Sequence, residues 1–142
     1  EWVSEVLGSL PAFVNVRRPE YADSVVNALS KVDHVRAWKR QDVPPYLDYG
    51  TNPNVGDVVV LPDVGWLFTD APIKPGTGNH GFDNTACDMQ VGFRAIGVAF
   101  KHGYTKPGEF RNVSIYPLLC HLLGITPSPN DGDLTEVTDL LH

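Results

Sequence analysis

GDVVVLPD, residues 56–63, is the stretch whose reading decides the fold. Val58, Val59, Val60 and Leu61 form an unbroken apolar run between Gly56-Asp57 and Pro62-Asp63. Three of those four side chains are β-branched, which suits extended backbone. A strand with one wet face alternates apolar and polar residues. This one does not, so both of its faces are predicted to be buried, as the central strands of an α/β sheet require.

The flanking sequence supports a layered arrangement. AFVNVR (12–17) follows Pro11 and alternates, which predicts a strand. PEYADSVVNALSKV (19–32) predicts a helix, with Pro19 in its first turn, early acids Glu20 and Asp23, and Val25, Val26 and Leu29 at helical spacing. HVRAWKR (34–40) predicts a second strand, so that residues 12–40 form a β-α-β unit. Prolines 44, 45 and 53 and Gly50 make 41–54 a connecting segment, packed on a surface through Tyr46, Leu47 and Tyr49.

Downstream, GWLFTD (65–70) is expected to pair with 56–63, and FRAIGVAF (93–100) to form another strand. NVSIYPLLCHLLG (112–124) predicts a helix with Ile115, Leu118, Leu119, Leu122 and Leu123 on one side and Gly124 as its stop. The tail is turn-rich and then weakly helical. The fold class expected is therefore α/β, part of a layered mixed sheet flanked by helices.

Composition narrows the function. The chain has 142 residues, 42% hydrophobic and 20% charged, with 11 basic and 17 acidic side chains and a net charge of −6. No basic field would draw in nucleic acid or an anionic membrane, and no apolar run approaches the ~20 residues of a membrane span. An anionic substrate would need a local attractor such as a bound cation. The opening EWVSEVLGSLP has apolar residues at i, i+3/i+4 spacing and acids where a signal peptide carries basic residues, so it reads as the middle of a protein. Cys87 and Cys120 fit one disulfide or two lone thiols. Asn112-Val113-Ser114 has the glycan-acceptor pattern, which matters in a secreted protein.

GTGNHGFDN (76–84) is the stretch richest in chemistry. Gly76, Gly78 and Gly81 imitate a dinucleotide-binding loop, but Pro72 and Pro75 interrupt the strand such a loop needs, and no apolar helix starts after Gly81. Two readings stay open from local chemistry: a turn built of residues that favour left-handed backbone, and a metal site with His80 as ligand and Asp83 or Asn84 behind it. One histidine does not hold a catalytic metal, and no HxxxH pair is present.

HGFDN (80–84) followed by DMQVGFRAIGVAFKHG (88–103) resembles the last third of the nucleotide pyrophosphatase/phosphodiesterase family, within the alkaline phosphatase superfamily. FRNVSIYPLLCHLLGITPSPNDG (110–132) and VRAWKRQDVPPYLDYGTNPNVGDVVVLPDVGW (35–66) resemble further stretches of that family, in the same order, so the likeness covers about residues 31–132.

The resemblance implies an alkaline-phosphatase-like fold. It implies two zinc ions over a threonine or serine nucleophile, and hydrolysis of phosphodiester or pyrophosphate bonds through a covalent phospho-enzyme. It makes His80 a zinc ligand and gives Asp83 and Asn84 a supporting role, orienting His80 or closing the turn. Phe82 stands where some members have tyrosine. The family's nucleophile and remaining ligands match nothing in this sequence, so no catalytic residue is assigned, and 1–142 is expected to be the C-terminal segment of a catalytic domain whose upstream portion is its partner. Asp33-His34 matches one family dipeptide but follows a helix the family lacks, and is ascribed to chance. The implied substrate is a small phosphodiester such as a nucleotide. The implied location is extracellular, periplasmic or a membrane-anchored ectodomain. The alternatives are a non-catalytic, partner-binding remnant of the fold, or a superfamily phosphomonoesterase or sulfatase. His102 is expected at a strand end, His121 on a helix surface, and Trp38, Trp66, Tyr46 and Tyr49 in packing.

Overall fold

The computed structural model describes residues 1–72, 74 and 78–142, which divide into two compact units, Glu1–Val91 and Gly92–His142. The first unit is built on a four-stranded sheet of β1 (Val3–Gly8), β2 (Ala12–Val16), β3 (Val35–Lys39) and β4 (Val58–Pro62), in the order β1-β2-β4-β3. All three pairings are antiparallel. Because β2 and β3 both run against β4, they run parallel to each other, and helix α1 (Ala22–Leu29) connects them across the inserted β4. The predicted β-α-β unit is thus present with a third strand threaded through it.

The run that decides the fold lies where its sequence requires. Val58 to Leu61 are 0–5% exposed, with neighbours on both edges. Val58 and Val60 face the α1 side, paired with Val14 and Ala12 and packed with Ala22 and Val25 into the core. Val59 and Leu61 face the other side, in register with Trp38 and Arg36 of β3. There the 41–54 segment helps to cover the sheet: Val43 is buried and Tyr49 stacks on Phe13, ring centroids 5.8 Å apart.

Three expectations need correction in this unit. The opening segment is edge strand β1, exposed throughout, because β2 offers it a free edge to pair with. Residues 65–70 form no strand: both edges of β4 are already taken by β2 and β3, so GWLFTD instead sends Phe68 onto the core as irregular chain. The helix predicted over 19–32 is α-helical only from Ala22 to Leu29, after a 3-10 turn at Pro19–Tyr21. At its end the Ser30 hydroxyl donates to the Val26 carbonyl (2.8 Å), and Lys31 and Val32 close tighter turns.

In the second unit, α2 (Ile115–Leu123) follows a 3-10 turn at Asn112–Ser114 and ends at Gly124, whose φ of 66° lets Ile125 N–H reach back to the Cys120 carbonyl. Its buried side is Pro117, Leu118 and Cys120, whereas Leu119 and Leu123 of the predicted apolar side are exposed, as is Tyr116. Two 3-10 turns, Leu134–Glu136 and Thr138–Leu140, flank the fully buried Val137. The strand expected at 93–100 is absent: Ile96 and Val98 are 93% and 98% exposed, and only Phe100 bridges to Leu141. No other strand among the described residues of this unit is there to pair with it.

Candidate functional site

Backbone chemistry sets the shape of the loop after the glycine-rich stretch. Gly81 has φ +106°, and a Cβ built there would stand 2.5 Å from the Leu10 carbonyl oxygen. An L side chain is excluded twice over, by conformation and by space. Gly81 therefore lets the loop press against the β1–β2 turn. Gly76 and Thr77 of the quoted motif lie outside the described residues.

Two residues on, Asp83 is buried, 7% exposed, and its carboxylate accepts four hydrogen bonds. Thr85 donates its N–H (3.0 Å) and hydroxyl (2.7 Å) to Oδ1; Arg36 Nη1 (2.7 Å) and the Tyr46 hydroxyl (3.0 Å) donate to Oδ2. Burial alone would raise this carboxyl's pKa, but the hydrogen bonds from Thr85, Arg36 and Tyr46 outweigh it and hold the group well below the usual carboxylate range. Asp83 in turn raises the Arg36 pKa, chiefly through the bond to its side chain. Asn84 Nδ2 adds a bond to the Tyr46 carbonyl oxygen (3.0 Å). Together these tie the loop to β3 and to the 41–54 segment.

The anchor continues along the sheet. Arg36 Nε has no hydrogen-bond partner and lies 3.7 Å from Asp63 Oδ1, while its guanidinium carbon is 5.8 Å from the Trp38 ring centroid. Asp63 Oδ2 is 3.3 Å from His34 Nδ1, and the His34 ring stacks on Trp66, centroids 4.1 Å apart at 11°. His34 thus serves in packing beside the sheet.

His80 stands apart from this network. It is exposed; its backbone N–H donates to Asn79 Oδ1 (2.9 Å), and its ring bonds to no described residue. Asp83 and Asn84, named with it from the sequence, do not touch that ring; they fix the loop that carries it. Among the described residues no group of three histidine, cysteine or acidic side chains could hold a metal. His80 fits a zinc site as one imidazole donor of a set, not as a site by itself. Cys87, exposed, and Cys120, buried, are both free thiols. His102 and His142 have ring centroids 6.3 Å apart, and His121 lines a shallow groove beside α2 with Pro117, Ile125 and Leu134.

Sequence reasoning missed Arg36 and took Tyr46 as packing only. One signal was available: alternation along HVRAWKR sets Arg36 on the same face as Trp38, and a charge at an inward strand position calls for a buried counter-charge.

The first unit is thus an α/β sheet with a loop held against it, and that loop presents an exposed imidazole that bonds to no described residue. The chain belongs to the type I phosphodiesterase/nucleotide pyrophosphatase family, whose model matches residues 5–83. It is 37% identical to rat ectonucleotide pyrophosphatase/phosphodiesterase family member 7 over 69% of this chain and 22% of that protein. With human family member 5 it shares 35% identity over 84% of this chain and 25% of that protein. The structure of murine ectonucleotide pyrophosphatase/phosphodiesterase 5, an inactive form in complex with AMP, superposes with a TM-score of 0.83 at 29% identity, covering 99% of this chain and 37–38% of the solved chains of this type. The likeness establishes the alkaline-phosphatase-like fold. The chain spans about a quarter of the length of those curated relatives. No helix among the described residues is long and apolar enough to cross a membrane.

Proposed function

We propose that this chain is the C-terminal segment of the catalytic domain of a zinc-dependent hydrolase of phosphodiester or pyrophosphate bonds in nucleotides or related compounds, and that His80 is one of its zinc ligands. The observation that carries the reading is the exposed His80 ring, which bonds to no described residue, on a loop held down directly after it by Gly81 against Leu10 and by Asp83 against Arg36 and Tyr46. A loop fixed just after the imidazole costs less further ordering when the ring takes a metal. The names of the relatives and the AMP held by the murine neighbour support the substrate class.

Zinc, when bound, supplies Lewis-acid stabilisation of charge on the phosphoryl oxygens. This chain's own residues do the positioning: Asp83, Arg36, Tyr46 and Thr85 hold the loop, Asn84 ties it to the 41–54 segment, and His80 offers a nitrogen lone pair. The other ligands and the nucleophile are assigned to polypeptide outside this chain. A cation in that place also offsets the repulsion between a protein segment of charge −6 and a polyanionic substrate. As in the ectoenzymes that its relatives' names describe, an extracellular or membrane-anchored location follows from the reading.

The test uses the chain with its native flanking sequence. His80→Ala is expected to lower zinc content and the hydrolysis of a chromogenic phosphodiester together. Unchanged zinc and unchanged turnover would remove the assignment. Faster turnover of a monoester or a sulfate ester than of a diester would move the protein to a neighbouring branch of the superfamily.

A further inference from the structure

We propose that Asn112 is an N-glycosylation site, modified before the Gly92–His142 unit folds. The inference rests on the extracellular location argued above and on four observations. Asn112-Val113-Ser114 has the acceptor pattern, with no proline in the middle position. Asn112 is exposed in the 3-10 turn that leads into α2, and its side chain bonds to no described residue. The folded protein can therefore carry a sugar there without losing a contact.

The third observation concerns timing. The hydroxyl two residues after the asparagine is what makes an acceptor, and here the fold consumes it. Ser114 is 0% exposed; its O–H donates to Glu136 Oε2 (2.6 Å), and its oxygen accepts from the Asp133 N–H (3.1 Å). Fourth, Gly132 packs so closely on the Val113 carbonyl oxygen that a Cβ would not fit. Residues 132–136 thus close over the acceptor from about twenty positions downstream, and once they dock neither the hydroxyl nor the backbone is open to a transferase. Transfer has to come first, during synthesis or translocation.

In the transfer, Asn112 Nδ2 attacks the anomeric carbon of an oligosaccharide carried on a polyprenyl pyrophosphate. A nitrogen–carbon bond forms, the carbon–oxygen bond to the pyrophosphate breaks, the lipid pyrophosphate leaves with the electron pair, and the amide gives up one proton to base. The product is rooted four residues before Tyr116. It commits the exposed Tyr116 side of the first turn of α2 to water, while Pro117 and Leu118 stay buried.

The experiment expresses the chain with its flanking sequence through a eukaryotic secretory pathway. Occupancy is read by endoglycosidase mobility shift and by mass spectrometry of the peptide containing residue 112. Wild type and Ser114→Thr should be occupied; Asn112→Gln and Ser114→Ala should not. Asn112→Gln should still fold and be secreted, since that exposed side chain bonds to no described residue. Bacterially made folded protein should be refused by purified oligosaccharyltransferase with lipid-linked donor, whereas a synthetic 109–117 peptide should be accepted. Secreted, folded protein with a bare residue 112 would overturn the site. Transfer onto folded protein as fast as onto the peptide would overturn the timing. A glycosylated protein with no diesterase activity would leave this site standing and remove only the hydrolase reading.

Discussion

Asp83→Asn should loosen the His80 loop by about 2 kcal/mol at neutral pH, and the effect should vanish in acid. The substitution keeps the shape and leaves an oxygen for Thr85, but it removes the charge that Arg36 faces at 2.7 Å. Hydrogen bonds to charged groups contribute roughly 1.5–3 kcal/mol. Arg36 is about one-third exposed, its side chain at 35%, so solvent screening argues against the top of that range. Hydrogen exchange of the 78–90 amides in the intact enzyme reads this local free energy, and about 2 kcal/mol corresponds to a roughly thirtyfold loss of protection.

The sign with pH follows from the direction of the Asp83 shift. The folded pKa lies well below the ordinary value, so the carboxylate stabilises the closed loop fully above about pH 4–5. As pH falls below the unfolded value near 3.9, the opened state binds the proton first, and the gap between wild type and Asp83→Asn should shrink by up to about 1.4 kcal/mol per pH unit. A gap that stays constant to the lowest pH reached, or equal protection at pH 7, would refute the claim that Asp83 anchors the loop as a buried anion.

Two further substitutions test the frame around the loop. Gly81→Ala should cost about 1–3 kcal/mol in backbone strain alone and displace the loop from Leu10, seen as lost protection of 78–85 and lower zinc content; wild-type behaviour would show that the φ of +106° is not required. Val58→Ala removes two methylene equivalents from a fully buried central position and should lower stability to urea by about 2–3 kcal/mol, while an effect below about 0.5 kcal/mol would contradict its place in the core.

Local sequence was enough for the sheet centre and not enough for the sheet edges. Val58–Leu61 could only be a strand buried on both faces, and Pro19, Glu20 and Val25 marked a helix between two strands. What could not be read locally was which strands find partners. GWLFTD and FRAIGVAF have strand composition, but both edges of β4, the partner expected for GWLFTD, are taken, and the described residues of the second unit hold no named strand for FRAIGVAF; β1, with helix-like spacing, pairs because β2 is available. Pairing is a long-range property, so composition is a weak guide to it. At the loop, Asp83 and Asn84 were legible as turn residues beside a histidine. Their partners Arg36 and Tyr46 lie 47 and 37–38 positions away, a distance at which one sequence carries no pairing signal.

The central claim, a metal bond from the His80 ring, is tested most directly by changing the donor atom. His80→Cys in the intact enzyme, with cobalt(II) exchanged for zinc, should show a thiolate-to-cobalt charge-transfer band in the near ultraviolet that the wild-type cobalt enzyme lacks. A cobalt-loaded variant whose spectrum matches wild type would mean that the side chain at this position never reaches the metal.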